Sequence, residues 1–159
     1  MILDHYPLWT AVITPLTTAG SICYSSLHKL LKEQEASDNG VLLLGSTGEG
    51  LNLEENEKWE ILQFAFSLNL NVPIMVGLPG HNQKNTLKFI EKTSTMPIHA
   101  YLSVTPIYAK PGPVGQYEWF SAILDLAKHP VVLYNVPSRT AIALNFEAIK
   151  RLTDHKNFY

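Results

Sequence analysis

An α/β fold built from repeated strand–helix units is predicted by three observations on the sequence. Short, continuous apolar runs recur at residues 9–13, 41–44, 73–76, 98–102 and 131–134, each followed closely by Gly, Pro, Ser or Thr. Helical stripes lie between the runs. The starts of the runs fall roughly 25 to 33 residues apart, the size of a βα unit, which requires parallel strands joined by right-handed crossovers. Runs that are apolar throughout, rather than alternating, are those of strands buried on both faces.

Each intervening helix has its own signature. Leu27, Leu30 and Leu31 line the first. The second opens at Asn52, with Glu55 three residues on as a capping box and Trp59, Leu62 and Phe66 on one stripe. Its first turn holds the acidic Glu54, Glu55 and Glu57, which suit the positive end of the helix dipole. Leu87 and Ile90 mark the third, Phe120, Ile123, Leu124 and Ala127 the fourth, and Ala148, Ile149 and Leu152 the fifth, behind Asn145. A chain of 159 residues buries roughly 70% of its unfolded surface, enough for one core, so one folding unit is expected. Two architectures fit this order. An open doubly wound sheet is complete at about this length, whereas a (β/α)8 barrel needs about 250 residues, so length taken alone favours the open sheet.

Composition narrows the function classes. Twelve Lys and Arg stand against 14 Asp and Glu in a chain that is 46% hydrophobic, which excludes disorder as the main state. No basic run marks a nucleic-acid partner. Two long stretches free of Asp, Glu, Lys and Arg, residues 5–28 and 93–109, are broken by Pro and rich in Ser and Thr, so no membrane span is expected. The first residues lack a secretion signal and Cys23 has no partner for an internal disulfide, which together point to the cytoplasm. Histidines at 5, 28, 81, 99, 129 and 155 show no metal-ligand spacing and read as surface or loop residues.

The chemistry collects in three loops that each follow a strand: Gly45-Ser46-Thr47-Gly48-Glu49-Gly50, then Ser103-Val104-Thr105-Pro106-Ile107-Tyr108, then Tyr134-Asn135-Val136-Pro137-Ser138-Arg139-Thr140. In both architectures, ligands bind at the C-terminal ends of the strands. The hydroxyls of Ser46, Thr47, Tyr108 and Tyr134 and the fork of Arg139 are therefore expected to converge on one small anion. A Gly-rich turn can hold a phosphate or carboxylate through its N–H groups, but this one matches neither nucleotide-binding pattern. Gly77-Leu78-Pro79-Gly80, after the third strand, is a weaker signal of the same kind.

Taken together, GSTGE after the second strand, VTPIY after the fourth and YNVPSRT after the fifth resemble the dihydrodipicolinate synthases, within the pyruvate-dependent Schiff-base aldolase and N-acetylneuraminate lyase family. The resemblance covers nearly the whole chain and overrides the length argument. It implies a (β/α)8 barrel, here cut after about five βα units at the start of strand six, with residues 1–159 forming an incomplete single domain. It further implies a lyase without metal or organic cofactor that joins pyruvate to L-aspartate 4-semialdehyde in lysine and diaminopimelate biosynthesis. In that family a lysine on strand six forms an imine with pyruvate and converts its methyl group into an enamine nucleophile.

Position by position, the resemblance implies that Tyr134 shuttles protons at the imine carbon. Ser46 takes the relay place that usually holds threonine, and Thr47 holds the pyruvate carboxylate. Tyr108 reaches into a neighbouring subunit of a homodimer or homotetramer, and Arg139 fixes the carboxylate of the aldehyde, where a planar fork serves better than lysine. Ile107 replaces an aromatic common in relatives. Glu55 and Lys58 stand where some relatives place histidines near a lysine-inhibitor site, so inhibition by lysine is not carried over. The imine-forming lysine falls just past Tyr159, and Lys110, Lys128 and Lys156 have no matching role, so this chain is expected to be inactive alone. Two alternatives stand beside the synthase: an N-acetylneuraminate or 2-keto-3-deoxy-sugar-acid aldolase, and a non-catalytic half-barrel that binds a small carboxylate.

Overall fold

The structure, a computed structural model, describes residues 2–159. The chain divides into two compact units, the first running to Gly77 and the second from Leu78 to Tyr159.

A short 3-10 helix (Ile2–His5) opens the first unit. It is followed by β1 (Trp9–Ala11), α1 (Tyr24–Ala36), β2 (Gly40–Leu43), α2 (Glu55–Ser67) and β3 (Ile74–Gly77). The strands are parallel, with Trp9 opposite Gly40 and Val41 opposite Ile74. Gly40 admits no side chain there, since a Cβ would lie 2.6 Å from the Trp9 ring. All of β3 is buried, as a continuous apolar run requires. Leu27 and Leu31 of α1 and Ile61, Leu62 and Ala65 of α2 are buried, as are Val41, Leu43, Ile74 and Val76 of the strands.

Helix α2 corrects the sequence reading in two ways. It begins at Glu55 rather than Asn52, because Asn52 is committed to a turn: its N–H donates to the Glu49 carbonyl at 2.8 Å and its amide to the Glu49 carboxylate at 3.3 Å. The cap lies two residues later, where the Glu54 N–H donates to the Glu57 carboxylate at 2.8 Å. Its buried stripe is Lys58, Ile61, Leu62 and Ala65, while Trp59 and Phe66 are only half-buried. Lys58 takes a place on that stripe with its ammonium paired to Glu55 at 3.3 Å.

The second unit contains α3 (Gln83–Thr93), β4 (Ala100–Val104), α4 (Pro113–Leu126), β5 (Val131–Tyr134), α5 (Pro137–Thr140) and α6 (Phe146–Lys150). Strands β4 and β5 are parallel, with Tyr101 opposite Val131 and Val104 opposite Tyr134. β5 matches the sequence expectation. β4 starts two residues later than expected because the Ile98 N–H closes a turn onto the Met96 carbonyl at 2.8 Å. Asn82 and Asn145 cap α3 and α6, accepting from the N–H groups of Asn85 at 2.9 Å and Ala148 at 3.1 Å. Phe120, Ile123 and Leu124 of α4 are buried, along with Ile90, Tyr101, Val131, Ala148 and Leu152. Buried Gln116 braces the unit: its amide donates to the carbonyls of Pro111 (3.1 Å) and Ala143 (3.2 Å), and its oxygen accepts from Asn145 N–H (2.8 Å). Past α6, Phe158 bridges Val131 in the parallel sense, with hydrogen bonds of 2.8 Å from Val131 N–H to Asn157 and 3.1 Å from Tyr159 N–H to Val131. A sixth parallel strand starts there, as the sequence reading placed it.

His129 lies in a loop, as expected, but is half-buried with its ring edge on Tyr101 at 5.8 Å. Its buried Nε2 has no hydrogen-bond partner among the described residues. Burial holds the imidazole below its ordinary value of 6.5, with Lys128 adding to the effect and the Ser94 backbone opposing it. The folded state therefore binds fewer protons than the unfolded state below about pH 6.5, so the second unit loses stability as pH falls through that value. Its unfolding midpoint is expected to drop between pH 7.5 and 5.5, and His129→Gln to flatten the dependence. An unchanged slope in that variant would contradict this.

Candidate functional site

In the first unit, the polypeptide leaving β2 turns sharply because Leu44, although buried, takes a left-handed backbone with φ +57°. That conformation costs a non-glycine residue about 1 kcal/mol or more, so its surroundings must hold it. They leave no space for a Cβ on Gly77, which would lie 2.6 Å from the Leu44 carbonyl oxygen, or on Gly50, where it would fall closer still to the same oxygen. The loop is then closed on itself. Gly50 N–H donates to Gly45 O at 3.2 Å and Glu49 N–H to Ser46 O at 3.3 Å, with Glu49 also left-handed at φ +53°. The Thr14 hydroxyl, just past β1, donates to the Gly48 carbonyl at 2.7 Å. Gly48 cannot carry a side chain either, since a Cβ would sit 2.8 Å from the Val12 carbonyl oxygen. Ser46 and Thr47 are thereby exposed together on one tight turn at the C-terminal end of β2.

In the second unit, the end of β4 is pinned by the Trp119 indole N–H, which donates to the Val104 carbonyl at 2.9 Å. The Ile107 N–H donates to Gly80 O at 2.6 Å, and Gly80 packs against Val104 where a Cβ would clash at 2.7 Å. The following turn holds Tyr108 at φ +71° and leaves it 91% exposed. Tyr134 ends β5 and is 40% exposed. Arg139 stands on α5, a turn secured by Arg139 N–H and Thr140 N–H donating to Val136 O at 2.9 and 3.0 Å and ended by left-handed Ala141. Its guanidinium is exposed and has no carboxylate partner among the described residues, which removes the surface ion pair as its explanation.

Each expected site residue thus lies at or just past the C-terminal end of a strand within its own unit. Ser46 and Thr47 share one turn, Tyr134 and Arg139 follow one another on β5 and α5, and Tyr108 has a loop to itself. Sequence reasoning missed Thr14 and α5. Thr14 precedes Pro15, which biases it to extended backbone, and this was the available signal. No group of three or more His, Cys, Asp and Glu able to hold a metal occurs among the described residues. No helix among them is long and apolar enough to cross a membrane.

Comparison with known proteins agrees with the motifs. The model of the dihydrodipicolinate synthetase family matches residues 6–159. The 4-hydroxy-tetrahydrodipicolinate synthase of Wolbachia pipientis wMel is 48% identical over 153 residues, 96% of this chain and 52% of that protein. The enzyme of the same name from Chlamydia pneumoniae is 46% identical over 151 residues, covering 95% and 52% respectively. Among solved structures, dihydrodipicolinate synthase from Acinetobacter baumannii complexed with pyruvate superimposes with a TM-score of 0.89 at 28% identity, over 94% of this chain and 52% of that one. The synthase from Cyanidioschyzon merolae with lysine bound gives 0.88 at 26% identity, over 96% and 53%. The chain spans about half the length of the curated relatives it matches. With the parallel βα order, these likenesses set aside the open sheet that length alone favoured: the fold is the (β/α)8 barrel class, represented by five strand–helix units and the start of a sixth strand.

Proposed function

The chain belongs to the dihydrodipicolinate synthetase family, and from that premise we propose that it is the N-terminal part of a 4-hydroxy-tetrahydrodipicolinate synthase, residues 1–159 forming an incomplete barrel domain. The observation that carries this reading over a sugar-acid aldolase is the exposed guanidinium of Arg139, five residues past Tyr134 and without a carboxylate partner among the described residues, which supports a role in holding the carboxylate of L-aspartate 4-semialdehyde. A sugar-acid aldolase would more often place a smaller or neutral group there.

In this reading Thr47 holds the pyruvate carboxylate through its hydroxyl and N–H. A lysine beyond residue 159 forms the imine with loss of water. A proton then leaves the pyruvate methyl group to give the enamine, whose carbon attacks the aldehyde. Tyr134 carries protons at the imine carbon, and Ser46 hands them on, its hydroxyl serving as threonine's would. The 91% exposure of Tyr108 on a strained turn supports its reaching into a neighbouring subunit of a homodimer or homotetramer. The pairing of Lys58 with Glu55 supports an enzyme insensitive to lysine. The reaction needs no cofactor, and the cytoplasm is its compartment.

Pyruvate with borohydride tests the proposal by intact mass. This chain alone is expected to stay unmodified, while a version extended to the relatives' full length gains one reduced adduct on a lysine past Tyr159. An unmodified long version would reject the imine mechanism. An adduct on Lys110, Lys128 or Lys156 would reject the assigned nucleophile.

A further inference from the structure

We propose that Thr14 is a positioning residue for a small α-keto carboxylate, acting through the turn at residues 45–50; this rests on the keto-acid reading of Ser46 and Thr47. The turn is anchored at both ends. At its start, the Leu44 carbonyl is enclosed by Gly50 and Gly77. At its far end, the Gly48 carbonyl is taken by the Thr14 hydroxyl at 2.7 Å, and Gly50 N–H closes onto Gly45 O at 3.2 Å. Between these anchors Ser46 and Thr47 are exposed; from outside the turn, the Thr14 hydroxyl holds the Gly48 carbonyl, while Asn52 N–H holds the Glu49 carbonyl at 2.8 Å on the side leading to α2. Fixing the carbonyl of Gly48 fixes the plane of the Gly48–Glu49 peptide. That plane in turn directs the Glu49 N–H to Ser46 O at 3.3 Å and sets how the Ser46 and Thr47 peptides face outward.

Thr14 is itself held firmly. Its β-branched side chain has few rotamers, and Pro15 restricts its backbone to extended conformations. The segment after it folds back, with Cys23 N–H donating to the Pro15 carbonyl at 2.7 Å and Leu16 bridging Ile22 in the antiparallel sense. A weak ligand such as a three-carbon keto acid has little surface to bury, so its affinity depends on donors already arranged before it arrives. The bland alternative is a threonine that merely finishes β1. That role would place its hydroxyl on the strand or on solvent, not on the loop that carries the two site hydroxyls.

The test uses this chain. Thr14→Val keeps the shape and removes the donor, and Thr14→Ser keeps the donor. In Thr14→Val, amide hydrogen exchange at Glu49 and Gly50 is expected to rise about tenfold while Val41, in the β2–β3 ladder, stays unchanged, the cost of one lost hydrogen bond. Pyruvate titration followed by the amide signals of Ser46 and Thr47 should show affinity several-fold weaker in Thr14→Val and near wild type in Thr14→Ser. Exchange that rises equally at Val41, or binding that survives in Thr14→Val, overturns the inference, as does loss of binding in a folded Thr14→Ser. If pyruvate moves no signal in the wild-type chain, the keto-acid reading fails and takes the inference with it. Wild-type binding that persists in Thr14→Val sinks the inference alone.

Discussion

Tyr134→Phe, made in a full-length enzyme that carries these residues, is expected to lower kcat by about 10²- to 10⁴-fold, the range of a positioned proton-transfer group, with KM for pyruvate little changed. The substitution is selective because the position is settled by backbone. Tyr134 pairs with Val104 across the β4–β5 ladder, and phenylalanine preserves the ring and the strand. No hydrogen bond from its hydroxyl to a described residue accounts for the phenol structurally, and the side chain is 40% exposed at the strand end. Removing the oxygen is therefore expected to leave folding intact, so that a change in kcat reports on chemistry. Ground-state binding of the pyruvate carboxylate, assigned to Thr47 on a different strand end, has no reason to weaken. Steady-state kinetics in a coupled assay reads both parameters. A loss of less than tenfold in kcat would remove Tyr134 from the proton path, and a rise in KM with kcat unchanged would make it a binding residue.

The sequence was most readable where one local rule decided the outcome. β3 and β5 were found as continuous apolar runs because both faces of a parallel strand are covered, and α6 was found behind Asn145 because a side-chain cap is a local event. The start of α2 was misplaced because two competing caps were present and a turn from Glu49 claimed Asn52 first. α5 went unseen because a single turn has no period to detect. Within the site, Ser46, Thr47, Tyr134 and Arg139 were legible as motif residues after strands. Thr14 and Leu44 were not. A left-handed leucine has no sequence signal, since glycine, asparagine or aspartate is expected at such a φ, and what holds it is a carbonyl walled in by Gly50 of the same turn and by Gly77, which is distant in sequence. The Thr14 hydroxyl acts across 34 positions, a separation that no window of local pattern spans.

Tyr101→Ala is expected to destabilise the second unit by about 3–5 kcal/mol, the range for deleting a large buried aromatic side chain. Tyr101 is fully buried on β4, and burial pushes its phenol above the ordinary value, so it is a neutral partner of the Thr93 hydroxyl at 2.7 Å. Thr93 has a second acceptor in the Phe89 carbonyl at 2.8 Å. Losing only the hydroxyl, in Tyr101→Phe, should therefore cost about 1 kcal/mol, because no buried donor is stranded. The contrast separates packing from hydrogen bonding at one site. Against a total stability of about 5–15 kcal/mol for a domain, the alanine variant sits near the edge of unfolding. Urea titration followed by hydrogen exchange of the β4–β5 amides measures both variants. His129 supplies a further check, since its ring edge rests on Tyr101 at 5.8 Å and its Nε2 is shut away from water. Removing the phenol ring opens a path for water to that nitrogen, so Tyr101→Ala should also weaken the acid sensitivity assigned to His129. The two substitutions together should cost less than the sum of each, as expected for side chains in contact. Strict additivity, or equal losses in the alanine and phenylalanine variants, would show that the Tyr101 ring is not what closes this part of the core.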